Sequence, residues 1–273
     1  MHILQAIYHS GSSGLAVTHG NSMLRFSFCL TEKKGIDIIK RFKRDGVYMM
    51  GKPEVSIILL TYNPQKEKLF CTLKSIVKQT GCSYEIIVSD DGSETTYEDD
   101  VKDYLKRESQ ADFQYLKSEN NVGTIKNYLK ALNRARGKYS YGISPGDLFH
   151  DEHVIRDLFL FCEEKNADIC FGDADYYSIH DHSITLYDGL VRSPVHPSLF
   201  ENRNIKKQKT AFLFGNNILG ATYFRKTDIA EKYIGEASGF LTYIEDMSST
   251  LFALGDGVTL THYPREEIGR AHV

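Results

Sequence analysis

Asp90 and Asp91 stand side by side in Ser89-Asp90-Asp91-Gly92-Ser93, directly after the apolar stretch Tyr84 to Val88. Carboxylates at the end of a buried strand can accept hydrogen bonds from ribose hydroxyls or from a base N–H. The same pair also suits a simple turn and a cap for the next helix. Asp173-Ala174-Asp175 puts two acids at a second candidate strand end, an arrangement that suits a hard cation. Asn121 and Gly123 precede a helical stretch. Backbone N–H groups there can meet a phosphate, and an ordinary asparagine cap with a glycine turn has the same residues. Glu245 and Asp246 open a late helical stretch, where acids complement the helix dipole. His180, His182 and His196 lack the spacing of a closed zinc set and read as part of a loop over a substrate.

These residues need elements that hold them together. Val55 to Leu60 is a continuous apolar run rich in β-branched residues, as in a strand buried on both faces of a parallel sheet. Thr61, Tyr62, Asn63 and Pro64 end it, and Leu69, Leu73, Ile76 and Val77 then recur at helical spacing. Tyr84 to Val88 is the next strand. A strand–helix–strand unit of this kind makes a right-handed crossover, and ligands bind outside the carboxyl ends of its strands. Thr61-Tyr62-Asn63 and Asp90-Asp91 therefore face one crevice. Further on, the pattern predicts helices over Tyr97 to Lys106, from Thr124 to beyond Leu132, over Asp151 to Asn166, from Thr227 to Tyr233 and from Met247 to Leu254. Strands are expected at Phe113 to Leu116, Lys138 to Ile143, Ala167 to Phe171, Thr222 to Phe224 and Val258 to Thr261. His180 to Gln208 reads as a polar, irregular loop.

Thr61-Tyr62-Asn63, Gln79-Thr80, Asp90-Asp91-Gly92-Ser93, Asn121-Val122-Gly123 and Glu245-Asp246 follow one another in an order that resembles the family 2 glycosyltransferases of bacterial surface-polysaccharide type. The resemblance implies an α/β GT-A fold: a Rossmann-like, mostly parallel central sheet flanked by helices, in a single domain. It implies a nucleotide-sugar donor in the crevice, lined by Thr61, Tyr62, Asn63, Asp90, Asp91, Asn121, Gly123 and Asn127. It implies Mg2+ or Mn2+ at the family's Asp-x-Asp element. Of that element this chain keeps Asp147 alone, with Ser144 and Gly146 in the other acidic places. His262 is a further metal candidate by the same resemblance, and Asp173-x-Asp175 competes with Asp147 for the role. Asp246 is implied as the catalytic base, with Glu245 in reserve. The chain departs from the family where Pro64 and Gln65 replace the usual acid after Asn63. The family's reaction inverts the anomeric carbon by direct displacement, here onto a glycan or lipid-linked acceptor. No tryptophan is present, so the Gln-x-x-Arg-Trp motif of processive synthases is missing and a non-processive enzyme is expected.

Other classes fit less well. A nucleotidyltransferase needs a glycine-rich basic loop where Thr61 to Lys66 stands, and no Gly-x-Gly-x-x-Gly follows the first strand for a dinucleotide oxidoreductase. A non-catalytic nucleotide-sugar binder has no use for Asp246. The formal charge of −3 over 273 residues gives no electrostatic case for nucleic acid. Five cysteines, an odd number without metal-ligand spacing, point to a reducing cytoplasmic compartment, and no secretory signal or membrane-length apolar run stands in the chain. Residues 1–50 read as an extension of uncertain order. Its basic stretch around Ile36, Ile38, Ile39 and Phe42 could give peripheral contact with the inner face of the cell membrane, or serve simply as a solvated face. Residues 51–273 read as the GT-A domain, with 51–150 as the nucleotide-sugar half and 151–273 as the acceptor half.

Overall fold

A computed structural model describes residues 4–9, 12–19, 22–27, 52–180, 183–191, 198–214 and 218–271. The chain separates into two compact units, Met1–Met49 and Met50–Val273. The first holds an antiparallel three-stranded meander, β1 (Leu4–His9), β2 (Ser12–His19) and β3 (Ser22–Ser27). The sequence showed no steady periodicity here. A signal was present in the dipeptides Ser10-Gly11 and Gly20-Asn21, residue types that favour tight turns. The basic stretch expected around Ile36 to Phe42 lies outside the described residues.

The second unit is built on one mixed sheet. Its elements in chain order are β4 (Val55–Thr61), α1 (Lys66–Val77), β5 (Tyr84–Asp90), α2 (Glu98–Glu108), β6 (Phe113–Lys117), α3 (Thr124–Leu132), β7 (Tyr139–Ile143), β8 (Asp147–Phe149), α4 (Val154–Lys165), β9 (Ile169–His180), β10 (Ser183–Val191), α5 (Ile205–Phe214), β11 (Tyr223–Lys226), α6 (Thr227–Ser238), α7 (Glu245–Gly255) and β12 (Leu260–Ala271). A turn of helix, Ser198–Glu201, precedes α5. The strand order is β6-β5-β4-β7-β11-β9-β12-β8, with β10 paired to β9. The strands β6-β5-β4-β7 run parallel, as do β9 and β12, whereas β11 enters antiparallel between β7 and β9.

The continuous apolar run of β4 has a direct cause: all seven of its residues are buried. Successive side chains of a strand point to opposite faces. Ile57 and Leu59 pack with Leu69, Leu73 and Ile76 of α1, and Ile58 and Leu60 pack with Ile125, Tyr128 and Leu132 of α3 and Ile234 of α6. Two layers of helix thus cover one sheet, which leaves the carboxyl ends of its strands as the open edge.

Three expectations change. Asp173 and Asp175 do not end a strand, because β9 runs on to His180, held at once by β10, β11 and β12. The stretch expected as an irregular loop contains β10 and α5, because β9 supplies β10 with a partner that the local sequence could not reveal. The three-residue β8 follows the Ser144 to Asp147 turn directly and takes its register from β12.

Candidate active site

The loops after β4, β5 and β6 are tied together at the open edge. Asp91 N–H donates to the Thr61 carbonyl at 2.9 Å, and Asn63 N–H donates to Ser93 Oγ at 2.8 Å. Asn63 adopts φ 43°, within the reach of asparagine, and its Oδ1 accepts Glu94 N–H at 2.9 Å. Tyr62 is left with half of its surface exposed. The hydroxyl of Thr61 is buried without a hydrogen-bond partner.

The acids here serve the loops. Asp90 is 1% exposed; its two oxygens accept Ser93 N–H at 2.8 Å and the Tyr115 hydroxyl at 3.0 Å. Asp91 accepts Val122 N–H at 2.9 Å and Gly123 N–H at 3.0 Å, one on each oxygen. Gly123 has φ 87°, and a Cβ there would stand 2.2 Å from Thr242 Cγ2, so only glycine fits. Asn121 Oδ1 accepts Gly123 N–H at 3.0 Å, and Ile125 N–H donates to the Thr242 carbonyl at 3.2 Å.

Corrections follow for several expected donor contacts. The Val122, Gly123 and Ile125 amides are committed to Asp91, Asn121 and Thr242, so Asn121 and Gly123 serve to build the loop. Asp90 has both oxygens occupied inside the fold. Asn127 is 2% exposed and rivets α3 to β5: its Nδ2 donates to the Ser89 carbonyl at 2.9 Å and its Oδ1 accepts the Ser89 hydroxyl at 2.8 Å. Gln79 likewise serves structure, donating to the Asp151 carbonyl at 2.6 Å and accepting Ile155 N–H at 3.1 Å at the start of α4.

The open edge contains a cavity of about 160 Å³. Ser144 and Asp147 contribute from the turn after β7, Tyr223 and Arg225 from β11, and Glu245 and Asp246 from the first turn of α7. Thr72 of α1 fixes the turn after β7: its hydroxyl donates to the Asp147 carbonyl at 2.8 Å and accepts Gly146 N–H at 2.9 Å. Ile244, just before Glu245, sits at φ 70°. A β-branched residue in that region is strained, and such strain gathers at functional sites. Asp246 Oδ1 accepts Met247 N–H at 2.7 Å, and its Oδ2 would lie 2.7 Å from a Cβ on Gly220. The absence of a side chain at Gly220 makes room for this carboxylate.

Burial pushes the Glu245 carboxyl above its ordinary 4.5; the charge of Asp246 adds to the rise and Arg225 partly opposes it. Burial also pushes the Tyr128 phenol up to about 12. The unfolded chain releases the Glu245 proton at a lower pH than the folded protein does. Its stabilising contribution is therefore complete below about 4.5 and is lost as pH rises through the raised folded value. Glu245→Gln should melt higher than the parent at about pH 8 and equally near pH 4. A melting difference that does not vary with pH would contradict the raised value.

The metal expectation fares less well. His262 lies in β12, where its Nε2 is 3.1 Å from Asp173 Oδ1. Asp147 pairs with Arg270 in that strand; along β9 the partners of His262 and Arg270, Phe171 and Tyr176, are five residues apart, which places His262 about 16 Å away at a strand's rise per residue. His262 is therefore no co-ligand of Asp147. Asp175 lies 3.8 Å from His150 Nε2. Asp147 Oδ2 accepts Ser144 N–H at 3.3 Å. Among the described residues no three acidic, histidine or cysteine side chains gather as a metal-ligand set. The donor set at Asp147 is too small to hold a resident divalent ion.

Arg225 was the residue missed. It is 3% exposed, stacked on the Tyr223 ring with its Cζ 4.1 Å from the centroid. An arginine directly after the apolar Tyr223-Phe224 of a short strand was a visible signal, since a buried charge is rarely incidental.

Comparison with known proteins bears on the family and the fold. The profile of glycosyl transferase family 2 matches residues 56–226, more than half of the chain. An uncharacterized glycosyltransferase of Methanocaldococcus jannaschii is 29% identical over 124 residues, 45% of this chain and 42% of its own. TuaG of Bacillus subtilis, a glycosyltransferase named for teichuronic acid biosynthesis, is 27% identical over 143 residues, 52% of this chain and 54% of its own. The chain thus spans about half the length of these curated relatives. The structure of S. aureus TarS 1-349 in complex with UDP-GlcNAc superposes with a TM-score of 0.60 at 17% identity, over 81% of this chain and 59% of that one. The fold is shared with that protein, and the match across β4 to β11 covers the strands whose ends form the cavity. The chain belongs to glycosyl transferase family 2, with a GT-A fold.

Proposed function

We propose that the chain is a non-processive, inverting glycosyltransferase that moves a sugar from a nucleotide-sugar to a glycan or lipid-linked acceptor at the cytoplasmic face of a membrane. The observation that carries this reading is the meeting of Glu245 and Asp246 with the Ser144–Asp147 turn in one cavity, at the carboxyl ends of parallel strands. The acceptor hydroxyl oxygen attacks the anomeric carbon, its proton passes to Asp246, and the bond from that carbon to the donor phosphate breaks with its electron pair going to the phosphate oxygen. Tyr62, Thr61 and Asp91 stand at the nucleoside end of the crevice. Asp91, like Asp90, has both oxygens on loop partners, so a contact with the nucleoside uses the remaining lone pairs of its carboxylate. The Mg2+ or Mn2+ expected at Asp147 takes no step in this mechanism, since the donor set there is too small.

A UDP-sugar is the natural first probe, because TarS, which shares the fold, is crystallised with UDP-GlcNAc. An amphipathic acceptor is supported by Phe240, Leu241, Tyr243, Ile244 and Met247, exposed side by side next to the base. Among the described residues no helix is long and apolar enough to cross a membrane.

Nucleotide-sugars tested one at a time by thermal shift, with and without Mn2+, probe the donor reading. A donor at a hundred times its Kd should add about 2.7 kcal/mol of stability. If no nucleotide-sugar raises the melting temperature in either condition, the donor crevice is misassigned. A gain that needs Mn2+ and disappears in Asp147→Asn would restore the metal at Asp147.

A further inference from the structure

Arg225 occupies the middle of the sheet, in register with Ser140 of β7 and Ile169 of β9. It is 3% exposed, yet among the described residues it makes no hydrogen bond and no ion pair, and its Nε is buried without a partner. Buried arginines are almost always paired, because taking a cation out of water without compensation is costly. Here the fold supplies only the Tyr223 ring, which fixes the plane of the guanidinium and leaves an edge of N–H groups unspent. The side chain opens on the cavity that also contains Ser144, Asp147, Glu245 and Asp246. Neither Glu245 nor Asp246 approaches it within ion-pair distance. Arg225 therefore has no anion in direct contact. Among the described residues the cavity's carboxylates also do not gather as a ligand set for a divalent ion, with Ser144 and Gly146 beside Asp147.

Both deficits have one answer. We propose that Arg225 is the cation that binds the diphosphate of the nucleotide-sugar and takes up its negative charge as it leaves. The inference rests on the donor reading above. As the bond between the anomeric carbon and the phosphate oxygen breaks, the electron pair moves onto that oxygen and the Arg225 N–H groups bind it more strongly. A planar guanidinium suits two phosphate oxygens at once, and its charge develops no reorganisation cost because the stack on Tyr223 already sets it in place.

The test uses the full chain and titration calorimetry in EDTA, with UDP, GDP, UMP, UDP-glucuronate and inorganic pyrophosphate as probes. The parent should bind a nucleoside diphosphate and pyrophosphate without added metal. Arg225→Met should weaken both by about 10- to 100-fold, the range of a charge-assisted contact, and should erase the preference for UDP over UMP. Arg225→Lys, which keeps the charge without the fork, should fall between. The unliganded Arg225→Met protein should melt at or above the parent, because an unpaired buried charge has been removed. A purely structural role predicts the reverse: a lower melting temperature with the UDP-to-UMP ratio unchanged, and that result overturns the proposal. A loss confined to UDP-glucuronate would mean that Arg225 reads a sugar carboxylate, which also overturns it. If diphosphate binding requires Mn2+ and is equal in parent and Arg225→Met, the proposal fails and the donor reading stands. If no nucleoside diphosphate binds with or without Mn2+, the donor reading itself fails and takes the proposal with it.

Discussion

Asp246→Asn should cut glycosyl transfer by about 10²- to 10⁴-fold, the usual cost of losing a general base, while donor affinity stays nearly unchanged. Asp246 stands in the first turn of α7, held by the Met247 amide on one oxygen and given room by Gly220 on the other. Those constraints set its direction without neutralising it. Asparagine keeps the shape and the Met247 contact but cannot take a proton, so the substitution separates chemistry from architecture. Glu245→Gln should cost less, because Asp246 is the carboxylate to which Gly220 gives room in the cavity. Product formation, measured beside calorimetric donor binding, decides between them. Normal turnover in Asp246→Asn with loss in Glu245→Gln would move the base to Glu245. If neither substitution matters, the cavity is not where the acceptor reacts.

Asp91→Ala should destabilise the fold by about 3 kcal/mol, since two backbone N–H groups lose a charged acceptor worth about 1.5–3 kcal/mol each and such losses do not add fully. Asp91 is 4% exposed, so water replaces it poorly. The released segment is Val122 and Gly123, where α3 begins and where Thr242 packs against the glycine. That contact leads directly to the α6–α7 connection that carries Glu245 and Asp246. Loosening at Asp91 should therefore reach the catalytic turn as well as the nucleoside end. The shift in denaturant midpoint gives the stability change, and hydrogen exchange at the Val122 and Gly123 amides reports the loop directly. Unchanged exchange at both amides would show that the carboxylate does not anchor them, and Asp91 would return to a role in donor binding alone.

Much of this protein could be read from the chain alone, for a physical reason. β4, α1 and β5 have local patterns that tolerate only one reading: a strand buried on both faces must be apolar throughout, and the helix that crosses it must repeat its apolar residues at helical spacing. The acidic turn after β5 and the Glu245-Asp246 helix start were legible for the same reason, since turns and helix ends are written in a few adjacent residues. What those residues do was not. The direction of Asp91 depends on the Val122 and Gly123 amides far along the chain, and a buried N–H group left alone is costly enough to claim the nearest carboxylate. Long-range pairing decided the rest. β9 and β12 extend each other, which draws Asp173 and Asp175 into a strand and sets His262 against Asp173, far from Asp147. Arg225 was visible as a charge directly after the apolar Tyr223-Phe224 of a short strand, but its lack of a partner is a property of the neighbours that the sheet gives it, and only the assembled sheet brings those neighbours together.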